Sequence, residues 1–199
     1  MTFWDRFAFL YDFGQSFNGK VLRGMEKTTE ELVPEGALVL DTAAGTGRLT
    51  FAAAKKAERV VSTDISMPML KVAQKKAQRE NISNVEFDVR DIFNLKDADE
   101  TYDVVMAGNV LHLLDEPEKA VGELWRVTKK GGRLILPTYM TGKKFNALLK
   151  LYRILGFNPS TEYTPEAYVD MLLKCGFGKV KMKMIRGMLP NCYAVIEKK

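Results

Sequence analysis

Apolar positions along the chain change their period several times, and the changes mark out an order of elements. Phe3, Phe7, Leu10 and Tyr11 recur at helical spacing. A Gly/Asn/Ser break follows near residues 14–19, and a second helix is expected to end before Pro34. "ALVLDT" then reads as a buried strand and "GRLTFAAAKKA" as a helix. "RVVSTDI" is a second strand. "SMPMLKVAQKKAQREN" is a helix, with Ser66 as N-cap and Pro68 in its first turn. "VEFDVRDI" and "YDVVMAGNVL" are the third and fourth strands. "DEPEKAVGELWRVT" is a helix expected to open on Asp115, with Glu118 completing a capping box. "GGRLILPTY" is a fifth strand after a Gly-Gly turn. Residues 143–156 and 164–175 read as helices, and "KVKMKMIRG" and "CYAVIEKK" as two last strands turning at Pro190-Asn191.

Strands alternating with helices of this length predict an α/β fold: a doubly wound, mostly parallel sheet with helices on both faces. The last two strands have no helix between them and complete seven strands as an antiparallel C-terminal hairpin at one edge. N-terminal helices precede the sheet. In such a sheet, ligands sit beyond the carboxyl ends of the strands, where the strand order reverses.

With 199 residues, 46% hydrophobic and 28% charged, the chain is expected to form one soluble globular domain. It has no apolar run of about 18 residues, and "MTFWDRFAFLYDF" lacks the basic start and small-residue cleavage site of a signal peptide. Cys175 and Cys192 are far apart without ligand-like neighbours, so free thiols in a cytoplasmic protein are expected, and no metal site. The net charge of +5 is unevenly spread. Residues 1–128 carry 16 Lys and Arg against 21 Asp and Glu, a net of −5, whereas residues 129–199 carry 14 against 4, a net of +10. That is either a solvated basic face or a surface for something anionic.

The turn after the first strand, "LDTAAGTGRLT", narrows the chemistry. Gly45 and Gly47 let backbone approach a ligand at a helix N-terminus. A dinucleotide fingerprint would want a third glycine where Thr50 stands, and Asp41 would repel a pyrophosphate. Asp41 suits a cationic amine instead, while Arg48 suits a carboxylate. Asp64 ends the second strand 19 residues after Gly45, a placement that suits the two hydroxyls of a ribose. Asp91 and Ile92 end the third strand, where a carboxylate can accept from an exocyclic amine and an aliphatic side chain can pack on a base. Amino acid, ribose and adenine together describe S-adenosyl-L-methionine.

The segments "VLDTAAGTG", "VVSTDISMPML", "VEFDVRDI", "YDVVMAGNVLHLLDEP" and "LWRVTKKGGRLIL" resemble, in order and spacing, the class I S-adenosylmethionine-dependent methyltransferases with their Rossmann-like fold. The resemblance is to the small-molecule branch that includes the ubiquinone/menaquinone biosynthesis methyltransferases. It covers residues 36–137, and extends loosely to "WDRFAFLYD". It implies that Asp41, Ala43, Gly45 and Gly47 line the methionine part of the cofactor, that Asp64 holds the ribose with Ile65 and Met69 nearby, and that Asp91 and Ile92 frame the adenine. Asn109 would face the methionine moiety or the sulfonium. Ala43, where many class I enzymes have glycine, is expected at φ < 0. Lys130 stands where the family often has proline, a difference in turn stiffness alone.

Catalysis by methyl transfer needs no covalent nucleophile, and a base only if the acceptor must lose a proton. His112 and Tyr11 are the candidates: a lone histidine after the fourth strand, equally readable as a packed group, and a tyrosine in a segment that either covers the cofactor or packs in the core. Residues 1–33 are expected to act as a helical lid, 36–137 as the cofactor core, and 138–165 as a substrate-pocket insertion. Apolar and aromatic residues in the first and last of these point to an apolar or aromatic small-molecule acceptor. Lys143, Lys144, Lys150 and Arg153 suit an anionic group on it or a peripheral membrane contact. "AGNVLH" lacks the Asn/Asp-Pro-Pro-aromatic motif of base-amino methylation, and no nucleic-acid module is appended, which argues against DNA or RNA. The other readings are a nucleic-acid or protein methyltransferase, a non-catalytic binding module on the same fold and, last, a dehydrogenase.

Overall fold

Continuous apolar runs become the inner strands of one seven-stranded sheet. The computed structural model describes residues 18–140, 160–187 and 189–199. Its strands are β1 (Leu38–Thr42), β2 (Arg59–Asp64), β3 (Val85–Val89), β4 (Tyr102–Ala107), β5 (Thr128–Tyr139), β6 (Lys181–Ile185) and β7 (Asn191–Glu197). The helices are α1 (Gly19–Leu32), α2 (Arg48–Ala54), α3 (Met67–Arg79), α4 (Pro117–Val127) and α5 (Pro165–Lys174). Strand order is β3-β2-β1-β4-β5-β7-β6. The first five strands pair in parallel, and β7 runs antiparallel between β5 and β6. β1 and β4 are almost wholly buried, whereas the edge strands β3 and β6 are not. Only central strands are covered on both faces, which is why they read as unbroken apolar runs.

Successive residues of the strands point to opposite faces and so feed two cores. Val39, Val104, Met106 and Ile135 pack against Val21, Leu22 and Met25 of α1 and Leu49 and Ala53 of α2. Leu40, Val105, Leu134 and Leu136 pack against Val121 and Leu124 of α4 and Tyr168 and Leu172 of α5. Two buried tyrosines tie helices to strands through their hydroxyls. Tyr168 Oη donates to the Leu136 carbonyl at 2.8 Å, and Tyr193 Oη donates to the Met25 carbonyl at 2.9 Å. From β1 the chain winds outward through β2 to β3, then returns to place β4 on the other side of β1. The strand order therefore reverses between β1 and β4.

Local signals hold in some places and yield in others. Ser66 caps α3 as expected, its Oγ accepting from Met69 N–H, with Pro68 in the first turn. The last two strands are antiparallel as expected, but Asn191 is the first residue of β7, paired with Ile185, and not part of the turn. Asp115 does not cap α4. The cap position is Glu116, Pro117 opens the helix, and Asp115 accepts instead from Ser160 Oγ at 2.8 Å. No turn separates α4 from β5, because the strand begins at Thr128. The Gly-Gly pair lies inside it, where the β4–β5 register shifts. Gly131 takes φ +76°, and a Cβ on Gly132 would sit 2.8 Å from the Asp103 carbonyl. The expected helix at 143–156 and the first N-terminal helix lie outside the described residues.

Candidate functional site

The turn from β1 to α2 and the end of β4 enclose a small cleft at the reversal point, the place where open parallel sheets bind ligands. Asp41, Ala43, Ala44, Gly45, Thr46, Arg48 and Leu49 form one side, Gly108 and Asn109 the other, and Leu22 and Met25 of α1 border it. Gly45 takes φ +57° and Gly47, which caps α2, φ +87°. A Cβ on Gly47 would come within 2.8 Å of the Phe51 ring. Ala43 also lies in the left-handed region, at φ +53°, which corrects the expectation of negative φ. The tight return that lets Ala44 N–H donate to the Thr63 carbonyl at 2.9 Å outweighs the alanine's steric preference.

Asp41 is only 1% exposed. Thr50 Oγ1 donates to its Oδ2 at 2.6 Å and lies 3.1 Å from Ser62 Oγ. Burial pushes the Asp41 carboxyl up to about 7, the Thr50 hydrogen bond opposes that, and Asp64 adds to it. Thr50, where a dinucleotide motif would have glycine, thus supports the acid. At the end of β2, Asp64 Oδ2 accepts from Gly45 N–H and Oδ1 from Ser66 N–H, both at 2.8 Å. The 19-residue spacing is therefore also a structural device that holds the glycine turn against β2.

The other expected residues spread outward from here. Ile65 is 61% exposed beside Asp64 and exposed Met67 follows it, while exposed Val89 ends β3, paired with Asp64 of β2, and exposed Phe93 lies just beyond. Met69 is buried in the first turn of α3. Asp91 is exposed and turns back to accept from Phe93 N–H at 2.9 Å, while Ile92 is buried. Asn109 takes φ +55°, and its Oδ1 accepts from Asn191 Nδ2 at 2.7 Å. Of the expected residues, Asp41, Ala43, Gly45 and Asn109 line the cleft, and Asp64 reaches it through the Gly45 hydrogen bond.

His112 does not line that cleft. It is buried in a 3₁₀ turn (Leu111–Leu113), with Nδ1 3.1 Å from Thr138 Oγ1 and its ring edge-on to Tyr139 at 6.2 Å. Burial lowers its pKa to about 4, so the imidazole is neutral at pH 7. Tyr11, residues 1–17 of the expected lid and most of the pocket insertion lie outside the described residues, whereas the rest of that expected lid contains α1, whose Val21, Leu22 and Met25 pack into the core against the sheet. Sequence reasoning missed Leu22, Met25, Thr46, Gly108 and Asn191. Their apolar, small or polar character carried no local signal.

Residues 34–155 match the model of a family described as a methyltransferase domain. The chain belongs to the methyltransferase domain family. The sheet order is thus that of a methyltransferase domain. A demethylmenaquinone methyltransferase of Thermobifida fusca is 37% identical over 101 residues, 51% of this chain and 43% of that protein. A ubiquinone/menaquinone biosynthesis C-methyltransferase of Hydrogenovibrio crunogenus is 37% identical over 128 residues, 62% of this chain and 50% of its own. The chain spans about half the length of these curated relatives. In fold it is similar to the magnesium protoporphyrin IX methyltransferase of Synechocystis PCC 6803, solved with bound SAH. The TM-score is 0.70 at 22% identity, over 89% of this chain and 83% of the other.

Proposed function

We propose that this methyltransferase domain transfers a methyl group from S-adenosyl-L-methionine to a small, apolar or aromatic acceptor. The observation that carries the reading is the buried Asp41 in a glycine-lined cleft at the strand reversal, hydrogen-bonded through Gly45 to the second acid, Asp64. Asp41 would face the ammonium of the cofactor, Gly45 and Gly47 would admit its backbone-hugging methionine part, and Asp64 would receive the ribose hydroxyls. The apolar side chains of Ile65, Ile92 and Phe93 would flank the adenine, with Asp91 at its edge. Bound there, the cofactor supplies an electrophilic methyl group on a sulfonium.

What the chain contributes is position and dryness. Holding donor and acceptor in near-attack geometry accounts for roughly 7–11 kcal/mol in well-oriented systems. Leu22, Met25 and Leu49 give the cleft apolar walls, which favour dispersal of the sulfonium charge. His112 is neutral at pH 7 but does not line the cleft, so it would take a proton only from an acceptor that reaches the 3₁₀ turn beyond Asn109.

The names of the similar demethylmenaquinone and ubiquinone/menaquinone methyltransferases support an acceptor of the quinone class. The basic character of residues 129–199 does not favour a nucleic acid, because described members of that set are engaged within the chain. Lys181 pairs with Glu197, Lys183 with Glu31 and Lys129 with Asp103, and Lys198 donates to the Thr128 carbonyl. Among the described residues no helix is long and apolar enough to cross a membrane. The test is release of S-adenosylhomocysteine on incubation with the cofactor and a panel of hydroquinones, phenols, nucleic acids and peptides. Turnover with hydroquinones or phenols alone is expected, and turnover only with macromolecules would reject the small-molecule assignment.

A further inference from the structure

Asn191 opens β7 and is fully buried. Pairing of β5 with β7 sets it opposite Tyr139, and its Nδ2 donates to Asn109 Oδ1 at 2.7 Å. Its own Oδ1 is buried without a hydrogen-bond partner. Leaving a buried acceptor unmatched is unfavourable, so the residue is a poor choice for filling space. Its side-chain hydrogen bond falls on a residue that lines the cleft. The backbone of Asn109 is held separately, with φ +55° and its N–H donating to the Pro137 carbonyl at 2.7 Å. The end of β5 thus fixes the main chain of Asn109, and the start of β7 fixes its side chain.

The consequence is polarity. A carboxamide carries an acceptor on one arm and donors on the other. With the oxygen engaged by Asn191, the nitrogen is what Asn109 has to offer a ligand. Arg48, on the opposite side of the cleft, adds a second donor. One of its terminal nitrogens binds Glu26, but its Nε is buried without a partner. We infer that Asn191 is a positioning residue that commits Asn109 to donate a hydrogen bond to the carboxylate of the cofactor's methionine part. This rests on the S-adenosylmethionine reading of the cleft. Asp41 would then face the ammonium while Asn109 and Arg48 face the carboxylate, so the cleft separates the two charges of an amino acid.

The test is calorimetric titration of S-adenosylhomocysteine and of its decarboxylated analogue into wild type, Asn191→Ala, Asn109→Asp and the double variant. Asn191→Ala should weaken S-adenosylhomocysteine about tenfold and leave the analogue unchanged. Asn109→Asp keeps an oxygen for Asn191 but puts a second carboxylate oxygen in place of the donor. It should weaken S-adenosylhomocysteine more than Asn191→Ala does, and adding Asn191→Ala to it should change little further. Equal losses for both ligands, additive effects, or unchanged affinity in Asn191→Ala would overturn the inference while leaving the cofactor reading intact. Wild type that binds neither ligand would overturn both. Should Asn191→Ala fail to fold on thermal melting, Asn109→Asp decides: a loss confined to S-adenosylhomocysteine supports the inference and an equal loss rejects it.

Discussion

Replacing Asp41 by Asn should make the unliganded protein more stable, relative to wild type, as pH rises. Asp41 is buried and accepts from Thr50 Oγ1 at 2.6 Å, and its carboxyl is raised from an ordinary 3.8 to about 7. A raised acid binds its proton more tightly folded than unfolded. Its favourable contribution is therefore complete below pH 3.8 and is lost as pH climbs to about 7. Across that window the folded chain holds one proton that the unfolded chain has released, which costs about 1.36 kcal/mol for each step of one in pH. Between pH 5 and pH 8 the wild type should thus lose about 2–3 kcal/mol through this one group. Asparagine keeps an oxygen for Thr50 and does not ionise. Whatever the substitution itself costs is the same at both pH values and cancels in the difference. The stability of Asp41→Asn relative to wild type should therefore rise by about 2–3 kcal/mol from pH 5 to pH 8, read from urea unfolding at each pH. The variant should also lose affinity for S-adenosylhomocysteine, together with the rise in affinity with pH expected while wild-type Asp41 must release its proton to meet an ammonium. Identical relative stabilities at pH 5 and pH 8 would show that Asp41 ionises at its ordinary value, and the argument from its burial would fail.

Three further substitutions probe neighbouring claims. Asp64→Ala should weaken the cofactor by roughly 1.5–3 kcal/mol in calorimetry, the scale of hydrogen bonds to a charged group, in a protein whose thermal melt remains cooperative. Ala43→Gly should raise stability by about 1 kcal/mol in urea unfolding, because residue 43 sits at φ +53°, a conformation glycine adopts without the methyl's steric penalty. His112 should titrate in the folded protein near 4, followed by NMR. Stability should therefore fall as pH drops from about 6.5 towards 4, and His112→Phe should flatten that part of the curve.

Much of the core was legible because it is built from local rules that agree with the fold. Buried parallel strands give unbroken apolar runs, so β1, β2 and β4 stand out, and an acid ending such a run marks a site. Asp41, Gly45 and Asp64 were found that way. Three local rules were overridden. Alanine disfavours the left-handed region, yet the turn at Ala43 needs it to reach the Thr63 carbonyl. Asp115 resembles a cap, yet Pro117 opens the helix and Ser160 claims the carboxylate. A Gly-Gly pair resembles a turn, yet here it accommodates a register shift inside β5. Asn191 was not legible at all. It meets Asn109 across 82 residues only because β7 inserts between β5 and β6. Leu22 and Met25 reach the cleft because α1 packs on the face of the sheet that also carries α2, a choice the periodicity of α1 does not encode.

The measurement that tests the central claim most directly is a pair of calorimetric titrations, S-adenosylhomocysteine and NAD, into the wild-type protein at pH 8. The cleft holds a buried acid where a pyrophosphate would have to lie, and a threonine supporting it where a dinucleotide site would have glycine. One-to-one binding of S-adenosylhomocysteine with no heat from NAD is predicted, and micromolar affinity for NAD with none for S-adenosylhomocysteine would contradict it.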